Sequence, residues 1–407
     1  MKRKFTLCWI AVTLLFTLCS GDAPKTEHPI NRPNDESDSD YIDLLAGSPK
    51  TQEQWGVLIE NIPNNIGNTF TSDPKTTRTI SWQSSLNRGE LVMEKSHFAS
   101  TKIYTDGWYF HRVNLSGLEP GKTYRYIVGS SGTYSPVYSF TTESASTSGG
   151  FSILHITDPQ IDLSVNDQDA VFWKRVMDNA ISKFSSVAFV VNTGDIVEDF
   201  NTAAIPYYFD YAQEKIASYA FVYSMGNNDL LSWFGKYFYY QGNHKDNVLY
   251  SFDYGNVHFV NVDSNTVLSG AHLTWLENDL ASTDKKWKVA MTHDGAYGRN
   301  GRDTAVARLF DTYNVDLVLS GHNHFYARSK PIDHAGNVKQ NGTVWTIPNA
   351  SGSKFNSKSG AAFLAKDSQP NLPMYSILTF TGSNILLNAY TVNSAGQEVS
   401  YDSYAWR

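Results

Sequence analysis

The sequence has little cysteine: there are two among 407 residues, and both, Cys8 and Cys19, lie close to the amino terminus. If that terminal segment is removed, the mature chain has no thiol, which excludes disulfides and thiolate metal ligands. Positive charge is also in short supply, since 33 Lys and Arg residues stand against 40 Asp and Glu residues and the net charge is −7. Sequence-independent binding to nucleic acid needs a basic surface, so we expect no nucleic-acid partner.

A long hydrophobic run is missing as well, and we therefore expect no transmembrane span. The apolar stretch at residues 5–18 is too short for one, and it follows basic residues at 2–4. Small residues come next, ending at Gly21, where a signal peptidase could cleave. This arrangement is typical of a signal peptide over residues 1–21 and predicts export. A buried amino-terminal helix is the alternative, although nothing after Gly21 continues the apolar pattern.

The prediction of export leaves two final locations open. Cys19 could carry the lipid of a bacterial lipoprotein, although Leu18 is bulky for the position before such a cysteine. Otherwise the protein is expected to be periplasmic or extracellular. Residues 22–50 are mostly polar, with an acidic cluster, and are expected to form a flexible tether.

Aromatic residues are abundant, at 14% of the chain, which favours a large β-strand content. Over residues 51–143, short alternating strands are separated by turn residues. The segment 118–124 (Leu-Glu-Pro-Gly-Lys-Thr-Tyr) resembles the corner of fibronectin type III-like sandwiches, where a Tyr hydroxyl ties back to the backbone just upstream. We predict an all-β sandwich over 51–143, followed by a linker rich in Ser and Gly at 143–150.

In the second predicted domain, 151–407, apolar strands alternate with helical stretches, as in α/β folds. Five of these strands end in polar side chains that can bind a metal, and active residues collect at the carboxyl ends of such strands. Strand 151–157 is followed by Asp158 and Gln160, 187–192 by Gly194 and Asp195, 221–225 by Gly226, Asn227, Asn228 and Asp229, 287–292 by His293, and 315–319 by Gly321, His322 and His324. A glycine before three of these groups lets the chain turn sharply.

This order of residues resembles that of the calcineurin-like metallophosphoesterases, whose pattern runs Asp-x-His, Gly-Asp, Gly-Asn-His-Asp/Glu, a lone His and Gly-His-x-His. The preceding sandwich, with Ser81-Trp82 and the 118–124 corner, resembles the amino-terminal domain of purple acid phosphatases. The resemblance implies an α/β (α+β) fold of two mixed β-sheets flanked by helices, preceded by the all-β fibronectin type III-like sandwich.

The resemblance also implies a dinuclear metal centre in which Asp195 bridges two ions. The ligands that it implies are Asp158, Gln160, Asp195 and His324 for one ion, and Asp195, Asn227, His293 and His322 for the other. Oxygen and imidazole ligands suit Mn, Fe or Zn and do not choose between them. Two such ions would lower the pKa of a bridging water and neutralise the charge of a phosphate. The implied activity is that of a phosphatase or phosphodiesterase on small phosphate esters.

Three positions depart from the family pattern. Gln160 replaces a His, although its amide oxygen can still bind a metal. Glu198 stands where purple acid phosphatases have a ligating Tyr, which puts the purple colour and the ferric preference in doubt. Asn228 replaces the His that helps to protonate the leaving oxygen or to hold the phosphate, and an amide cannot act as an acid. The candidate substitutes are Asp229 and His244.

His244 belongs to a second Gly-Asn-His sequence at 242–244. We interpret 226–229 as the metal-binding motif, because it follows an apolar strand directly, and His244 as a substrate-loop residue. Arg299, Arg302 and Arg328 are near the metal-site loops in sequence. They are candidates for phosphate contacts, with solvated surface charges as the alternative.

Two other functions are compatible with the same residues. A nucleotidase, a nucleotide pyrophosphatase or a phospholipid head-group phosphodiesterase would share the metal core and differ in its loops. A catalytically weak surface-binding protein, whose sandwich adheres to glycan or protein, would account for Asn228. Against the second alternative, all seven ligand positions hold residues that can bind metal.

Overall fold

The computed structural model describes residues 42, 62–130, 132–146, 149–165, 167–238, 249–295 and 304–406. These residues lie in one compact unit that spans residues 37–407. The predicted signal peptide, all of the predicted tether except Ile42, and His244, Arg299 and Arg302 fall outside the described residues.

The first part of the described chain is a β-sandwich of two antiparallel sheets. Its strands are β1 (Asn64–Thr69), β2 (Arg78–Ser84), β3 (Glu90–Met93), β4 (Ser96–Ala99), β5 (Thr101–Thr105), β6 (Trp108–Leu115), β7 (Thr123–Ser130), β8 (Thr133–Tyr134) and β9 (Tyr138–Thr141). One sheet has the order β1-β2-β6-β5, and the other has the order β4-β3-β7-β8 with β9 paired to β7.

The core of the sandwich follows the two-residue period of its strands. Ile80 and Trp82 on β2 point inward, as do Tyr124, Tyr126 and Val128 on β7. The corner predicted at 118–124 is present, because the hydroxyl of Tyr124 accepts a hydrogen bond of 2.8 Å from the backbone N–H of Glu119.

The second part of the chain has thirteen strands and six α-helices among the described residues. The strands are β10 (Phe151–Ile156), β11 (Val190–Asn192), β12 (Phe221–Tyr223), β13 (Leu249–Tyr254), β14 (Val257–Val262), β15 (Trp287–Met291), β16 (Leu317–Leu319), β17 (Tyr326–Ser329), β18 (Val344–Ile347), β19 (Leu364–Ser368), β20 (Met374–Phe380), β21 (Ile385–Val392) and β22 (Glu398–Trp406). The helices are α1 (Gln168–Lys183), α2 (Ile205–Asp210), α3 (Gln213–Ser218), α4 (Leu231–Tyr237), α5 (Gly270–Ser282) and α6 (Thr304–Thr312), with 3₁₀ turns at Leu163–Val165 and Thr202–Ala204.

These strands form two mixed sheets, which confirms the expected architecture. One sheet has the order β12-β11-β10-β20-β21-β22, and the other has the order β13-β14-β15-β16-β18-β17-β19. Strands β10, β11 and β12 are parallel, and so are β14, β15, β16 and β18. The loops that carry the predicted metal ligands leave the carboxyl ends of these parallel strands.

Aromatic side chains fill the space between the two sheets. The ring of Phe189, just before β11, lies 5.2 Å from that of Phe259 on β14. Phe151 on β10 packs 4.7 Å from Tyr254 on β13 and 5.3 Å from Phe380 on β20. Such ring contacts add to the free energy gained by burying apolar area, and they account for part of the high aromatic content.

The spacing of apolar residues over 171–184 predicts a helix, and helix α1 begins three residues earlier, at Gln168. The reason is Asp169 in its first turn, a position where a carboxylate interacts well with the helix dipole. The same carboxylate accepts hydrogen bonds from the backbone N–H groups of Asp162 and Ser353. The polar residues Gln168 and Asp169 therefore belong to the helix, although the spacing of apolar residues does not include them.

The sandwich and the second part of the chain share core residues. Phe70, next to β1, belongs to the core of the second part, where its ring lies 5.4 Å from those of Phe189 and Phe252. The buried guanidinium of Arg78 lies over the rings of Phe70 and Phe140 and donates to the carbonyl of Thr141.

Helix α3 makes the reciprocal contact. Ala217 packs into the core of the sandwich. Its carbonyl accepts hydrogen bonds from Asn68 Nδ2 at 2.9 Å and from the hydroxyl of Tyr126 at 2.7 Å. The junction is therefore well packed and hydrogen-bonded.

Within the part of the chain that the structure describes, no helix has both the length and the apolar character needed to cross a membrane.

One buried histidine should make the stability of the fold depend on pH. His258 lies between Asp253 and Asp279, at 2.8 and 2.9 Å. Burial alone would lower the pKa of His258, but the two carboxylates outweigh it and raise the pKa to about 9. The unfolded value is about 6.5, so the stabilisation is complete below pH 6.5 and is lost as pH rises through 9.

We expect a His258→Asn variant to melt at a lower temperature than the parent at pH 6, with the difference shrinking as pH approaches 10. Thermal denaturation followed by circular dichroism from pH 6 to pH 10 measures this difference. A difference that stays constant over the range would contradict the assignment.

Candidate metal centre

The loops after the parallel strands are joined to one another by backbone hydrogen bonds. The N–H of Asp158 donates to the carbonyl of Gly194, and the N–H of Gly321 donates to the carbonyl of His293. The N–H of His322 donates to the carboxylate of Asp158 at 2.9 Å. Loops from both sheets therefore meet at one edge, as the order of motifs predicts.

Five of the seven predicted ligands have a left-handed backbone conformation. Their φ values are 50° for Asp158, 42° for Gln160, 53° for Asp195, 71° for His322 and 51° for His324. A non-glycine residue in this region costs on the order of 1 kcal/mol or more, and such residues cluster at functional sites. The strain directs successive side chains towards a common centre.

Two of the predicted glycines are needed for close approach and not for an unusual φ. A Cβ atom on Gly226 would lie 2.1 Å from the backbone nitrogen of Asp195. One on Gly321 would lie 1.9 Å from the hydroxyl oxygen of Thr157. Gly194, in contrast, has a φ of 101°. All three allow the loops to pack against one another without an intervening side chain.

Two groups of metal-competent side chains form at this edge, and they share one carboxylate. Asp158, Asp195 and His324 make one group, and Asp195, His293 and His322 make the other, with the ligand atoms of each group within 4.8 Å of one another. Asp195 therefore has the position that the sequence predicts for a bridging ligand.

Among the described residues, several buried side-chain atoms lack a hydrogen-bond partner, and three of them belong to predicted ligands. They are Gln160 Oε1, Asn227 Oδ1 and His293 Nε2, and the last lies 3.4 Å from Asp195 Oδ1 without forming a hydrogen bond. An unsatisfied buried polar atom costs roughly 1–3 kcal/mol, so three at one site call for an explanation. Each is an atom with which its residue would bind a metal, so the residues present fit a dinuclear centre.

The tautomers of two histidines are fixed by backbone carbonyls. Nδ1 of His293 lies 2.7 Å from the carbonyl oxygen of Thr193, and Nδ1 of His324 lies 2.9 Å from that of Lys354. Since a carbonyl only accepts hydrogen bonds, each Nδ1 carries a proton and each Nε2 is left for the centre. Metal-binding histidines are commonly oriented in this way.

The ionisable side chains at the site shift one another's pKa values. Burial alone would raise the pKa of Asp195, but His293 and hydrogen bonds from Asn228 outweigh it and hold the pKa below its usual range. Burial would lower the pKa of His293, but the charge of Asp195 outweighs it and raises the pKa to about 10. Asp158 likewise raises the pKa of His324 against the effect of burial. The carboxylates and these two imidazoles therefore stabilise each other's charged forms.

Known families match both parts of the chain. Residues 151–326 match the calcineurin-like phosphoesterase family, and residues 63–142 match the purple acid phosphatase N-terminal domain. The chain thus carries a calcineurin-like phosphoesterase domain behind a purple acid phosphatase N-terminal domain.

Curated relatives match part of the chain. Acid phosphatase type 7 of Mus musculus is 26% identical over 55% of this chain and 58% of its own length. Purple acid phosphatase 23 of Arabidopsis thaliana is 36% identical over 21% of this chain and 22% of its own length. These matches span less than two thirds of either relative.

Solved structures share the fold. Purple acid phosphatase PPD1 from yellow lupin (Lupinus luteus) seeds superposes with a TM-score of 0.72 at 17% identity, over 85% of this chain and 74% of that chain. PhoD superposes with a TM-score of 0.63 at 12% identity, over 88% of this chain and 92% of that chain. At these identities the likeness shows the fold alone.

Asn228 contacts the shared carboxylate of the phosphoesterase domain. Its side-chain Nδ2 donates to Asp195 Oδ2, and its backbone N–H donates to Asp195 Oδ1, both at 2.8 Å. Asn228 therefore lies against the shared carboxylate and is a hydrogen-bond donor there.

Asp229 lies beneath the centre and faces the backbone. Its carboxylate accepts hydrogen bonds from the N–H groups of Asp195, Ile196 and Gly226, at 2.8 to 3.0 Å. It is 4% exposed, and burial together with the charge of Asp195 raises its pKa to about 8. These contacts hold two ligand loops of the phosphoesterase domain together.

Two charged residues that the sequence places near the site form ion pairs. Glu198, at the position of the family Tyr, pairs with Lys354 at 2.9 Å. Arg328, a candidate for phosphate contact, donates from Nε to Asp402 on β22 at 2.8 Å, and its guanidinium lies 4.0 Å from the ring centroid of Tyr404. Both contacts hold the Arg328 side chain against β22, so the structure does not support a contact between Arg328 and phosphate.

The segment 351–354 packs against the metal-site loops and is not predictable from the sequence motifs. Ser351 donates to the carbonyl of Thr157, and Gly352 donates to that of Asp158. The carbonyl of Lys354 holds His324. No motif marks this segment, because its contacts are made mostly by backbone atoms.

The raised pKa of His293 predicts that protons are released when metal binds. His293 has a pKa of about 10 and must lose its proton to become a ligand, so we expect release of at least about one proton at pH 7. For the same reason, affinity for Mn²⁺ or Zn²⁺ should rise with pH from 7 towards 10. Isothermal titration calorimetry in buffers of different ionisation enthalpy measures the released protons, and binding enthalpies that do not depend on the buffer would contradict the prediction.

Proposed function

We propose that the protein hydrolyses phosphate esters at a dinuclear metal centre built on Asp195. The observation that carries this proposal is the shared carboxylate between two ligand groups, with three unsatisfied ligand atoms around it. When bound, two metal ions at such a site lower the pKa of a water molecule and neutralise the charge of the phosphate. The proposed metals are Mn, Fe or Zn, because the donor set contains only oxygen and nitrogen.

The residues have distinct proposed roles. Asp158, Gln160 and His324 hold one ion, Asn227, His293 and His322 hold the other, and Asp195 serves both. Because Glu198 cannot supply a phenolate ligand, we propose that the centre lacks a ferric preference. Asp229 is a positioning residue in this proposal, since its carboxylate is occupied by three backbone N–H groups.

Protonation of the leaving oxygen is the weak step of this site. Asn228 can donate a hydrogen bond to a phosphate but has no acidic proton. His244 is the candidate donor that is left, and it lies outside the described residues. We therefore propose a preference for esters whose leaving groups need little protonation, such as aryl phosphates.

We propose an exported protein, on the basis of the signal-like residues 1–21. We propose small phosphate esters and not nucleic acid as its substrates, because the net charge of −7 does not favour binding to nucleic acid. A lipid anchor at Cys19 is the alternative to a periplasmic or extracellular location. Nucleotidase, pyrophosphatase and phospholipid phosphodiesterase activities remain alternatives that share this centre.

The loss of the family histidine at Asn228 is the one observation that favours a catalytically weak binding protein. Metal analysis of the purified protein, together with hydrolysis of nitrophenyl mono- and diesters under added Mn, Fe or Zn, separates the two functions. We expect two ions per chain and measurable hydrolysis. Metal uptake without turnover of any ester in the panel would favour the binding protein.

Substitution of the shared carboxylate gives a sharper test. We expect Asp195→Asn to lower kcat/KM for nitrophenyl phosphate by about 10³-fold or more and to reduce the bound metal, because neither ion keeps its charged shared ligand. Asp311→Asn is the matched control, since Asp311 pairs with Lys339 and His334 on the outside of α6. Equal activity of the two variants would overturn the proposed centre.

A histidine at position 228 should restore protonation of the leaving oxygen. We expect Asn228→His to raise kcat for an alkyl phosphate by about 10–100-fold and to change kcat for nitrophenyl phosphate little, because only the poor leaving group needs a proton. His244→Ala should lower kcat for alkyl phosphates if His244 donates the proton to the leaving oxygen. An equal change for both esters in Asn228→His would show that position 228 does not control protonation.

A further inference from the structure

We propose that Lys354 binds the phosphate of the substrate at the rim of the metal centre, and that Glu198 holds its ammonium group until the phosphate arrives. The inference rests on the proposed function and adds a residue for which the family pattern has no position.

The backbone around Lys354 is fixed against the metal-site loops. Ser351 Oγ lies 2.7 Å from the carbonyl oxygen of Thr157, and the N–H of Gly352 lies 3.2 Å from that of Asp158. The carbonyl of Lys354 accepts the hydrogen bond that orients His324. The base of the lysine side chain is therefore set by contacts with the residues that would hold one of the ions.

The ammonium group reaches across to a second ligand loop. Lys354 Nζ lies 2.9 and 3.0 Å from the two carboxylate oxygens of Glu198. Glu198 comes three residues after Asp195, and its N–H donates to the carbonyl of Ile161, the residue after Gln160. The ion pair thus joins the loops of Asp195 and Gln160 to that of His324.

The ion pair can exchange partners at small cost. The side chain of Lys354 is 49% exposed and that of Glu198 is 21% exposed, and ion pairs with such exposure contribute little to stability. A phosphate dianion carries more charge than a carboxylate and makes strong charge-assisted hydrogen bonds with an ammonium group. The lysine stem is flexible, so Nζ can move while the backbone stays fixed.

Two other residues that could have offered a positive charge to the phosphate do not do so. Asn228, the residue in place of the family histidine, is neutral, and Arg328 is committed to Asp402. Lys354 is a cation whose ion pair with Glu198 joins the Asp195 loop to the His324 loop. Since its role is to bind phosphate, its loss should weaken affinity and leave the dependence on the leaving group unchanged.

The test compares binding of inorganic phosphate to the Mn-loaded full chain for the parent and for Lys354→Met, Lys354→Arg, Glu198→Gln and Lys339→Met. Lys339 also pairs with a carboxylate, that of Asp311, and serves as the matched control. Isothermal titration calorimetry gives phosphate affinity, metal analysis gives bound ions, and hydrolysis of nitrophenyl phosphate gives KM and kcat.

We expect Lys354→Met to weaken phosphate binding and raise KM by about 10-fold or more, with the metal content unchanged, because a charged hydrogen bond to the ligand is lost. Lys354→Arg should keep most of the affinity. Glu198→Gln should strengthen phosphate binding, because a competing carboxylate is gone. Lys339→Met should match the parent.

Two results would overturn the role of Lys354 while the proposed function stands. One is a parent that binds metal and hydrolyses esters but whose phosphate affinity is unaffected by Lys354→Met. The other is a Glu198→Gln variant with less bound metal and weaker phosphate binding, which would make Glu198 a ligand. A parent that takes up no metal and hydrolyses no ester would overturn the function and this inference together.

Discussion

The arrangement depends on one constraint: the carboxylate of Asp195 must belong to two ligand groups at once. The neighbouring residues hold it in that position. Asp229 binds its backbone N–H from below, Asn228 donates to both of its oxygens, and His293 balances its charge. The space for this packing exists because Gly226 has no side chain. Loss of any one of these contacts would disturb both halves of the centre.

The sequence predicted the fold and the gathering of the ligands well, because both follow from local patterns. Apolar strands ending in Asp158, Asp195 or His293 are visible in the sequence, and parallel strands bring such ends to one edge. The roles of Asp229 and Lys354 were not predictable in this way. Asp229 acts through backbone N–H groups of another loop, and Lys354 meets Glu198 across 156 positions of the chain. Contacts of this kind leave no spacing pattern.

The departures from the family pattern differ in what they change. Gln160 keeps an oxygen that can bind metal, whereas Asn228 and Glu198 differ from the family residues in acidity or charge. In the proposed function, Asn228 removes a proton donor, and Glu198 places a carboxylate beside the ammonium group of Lys354. A site can thus keep its metals while changing the esters that it prefers, since the two properties depend on different side chains.

The exchange of core residues at the domain junction has a consequence for engineering. Phe70 completes the aromatic core of the phosphoesterase domain, and Ala217 completes that of the sandwich. A phosphoesterase domain expressed alone would present Phe189 and Phe252 to water where Phe70 had covered them. The sandwich is therefore not a detachable module, and chimeras that swap it for that of a relative need a matching Phe70 as well as a matching linker.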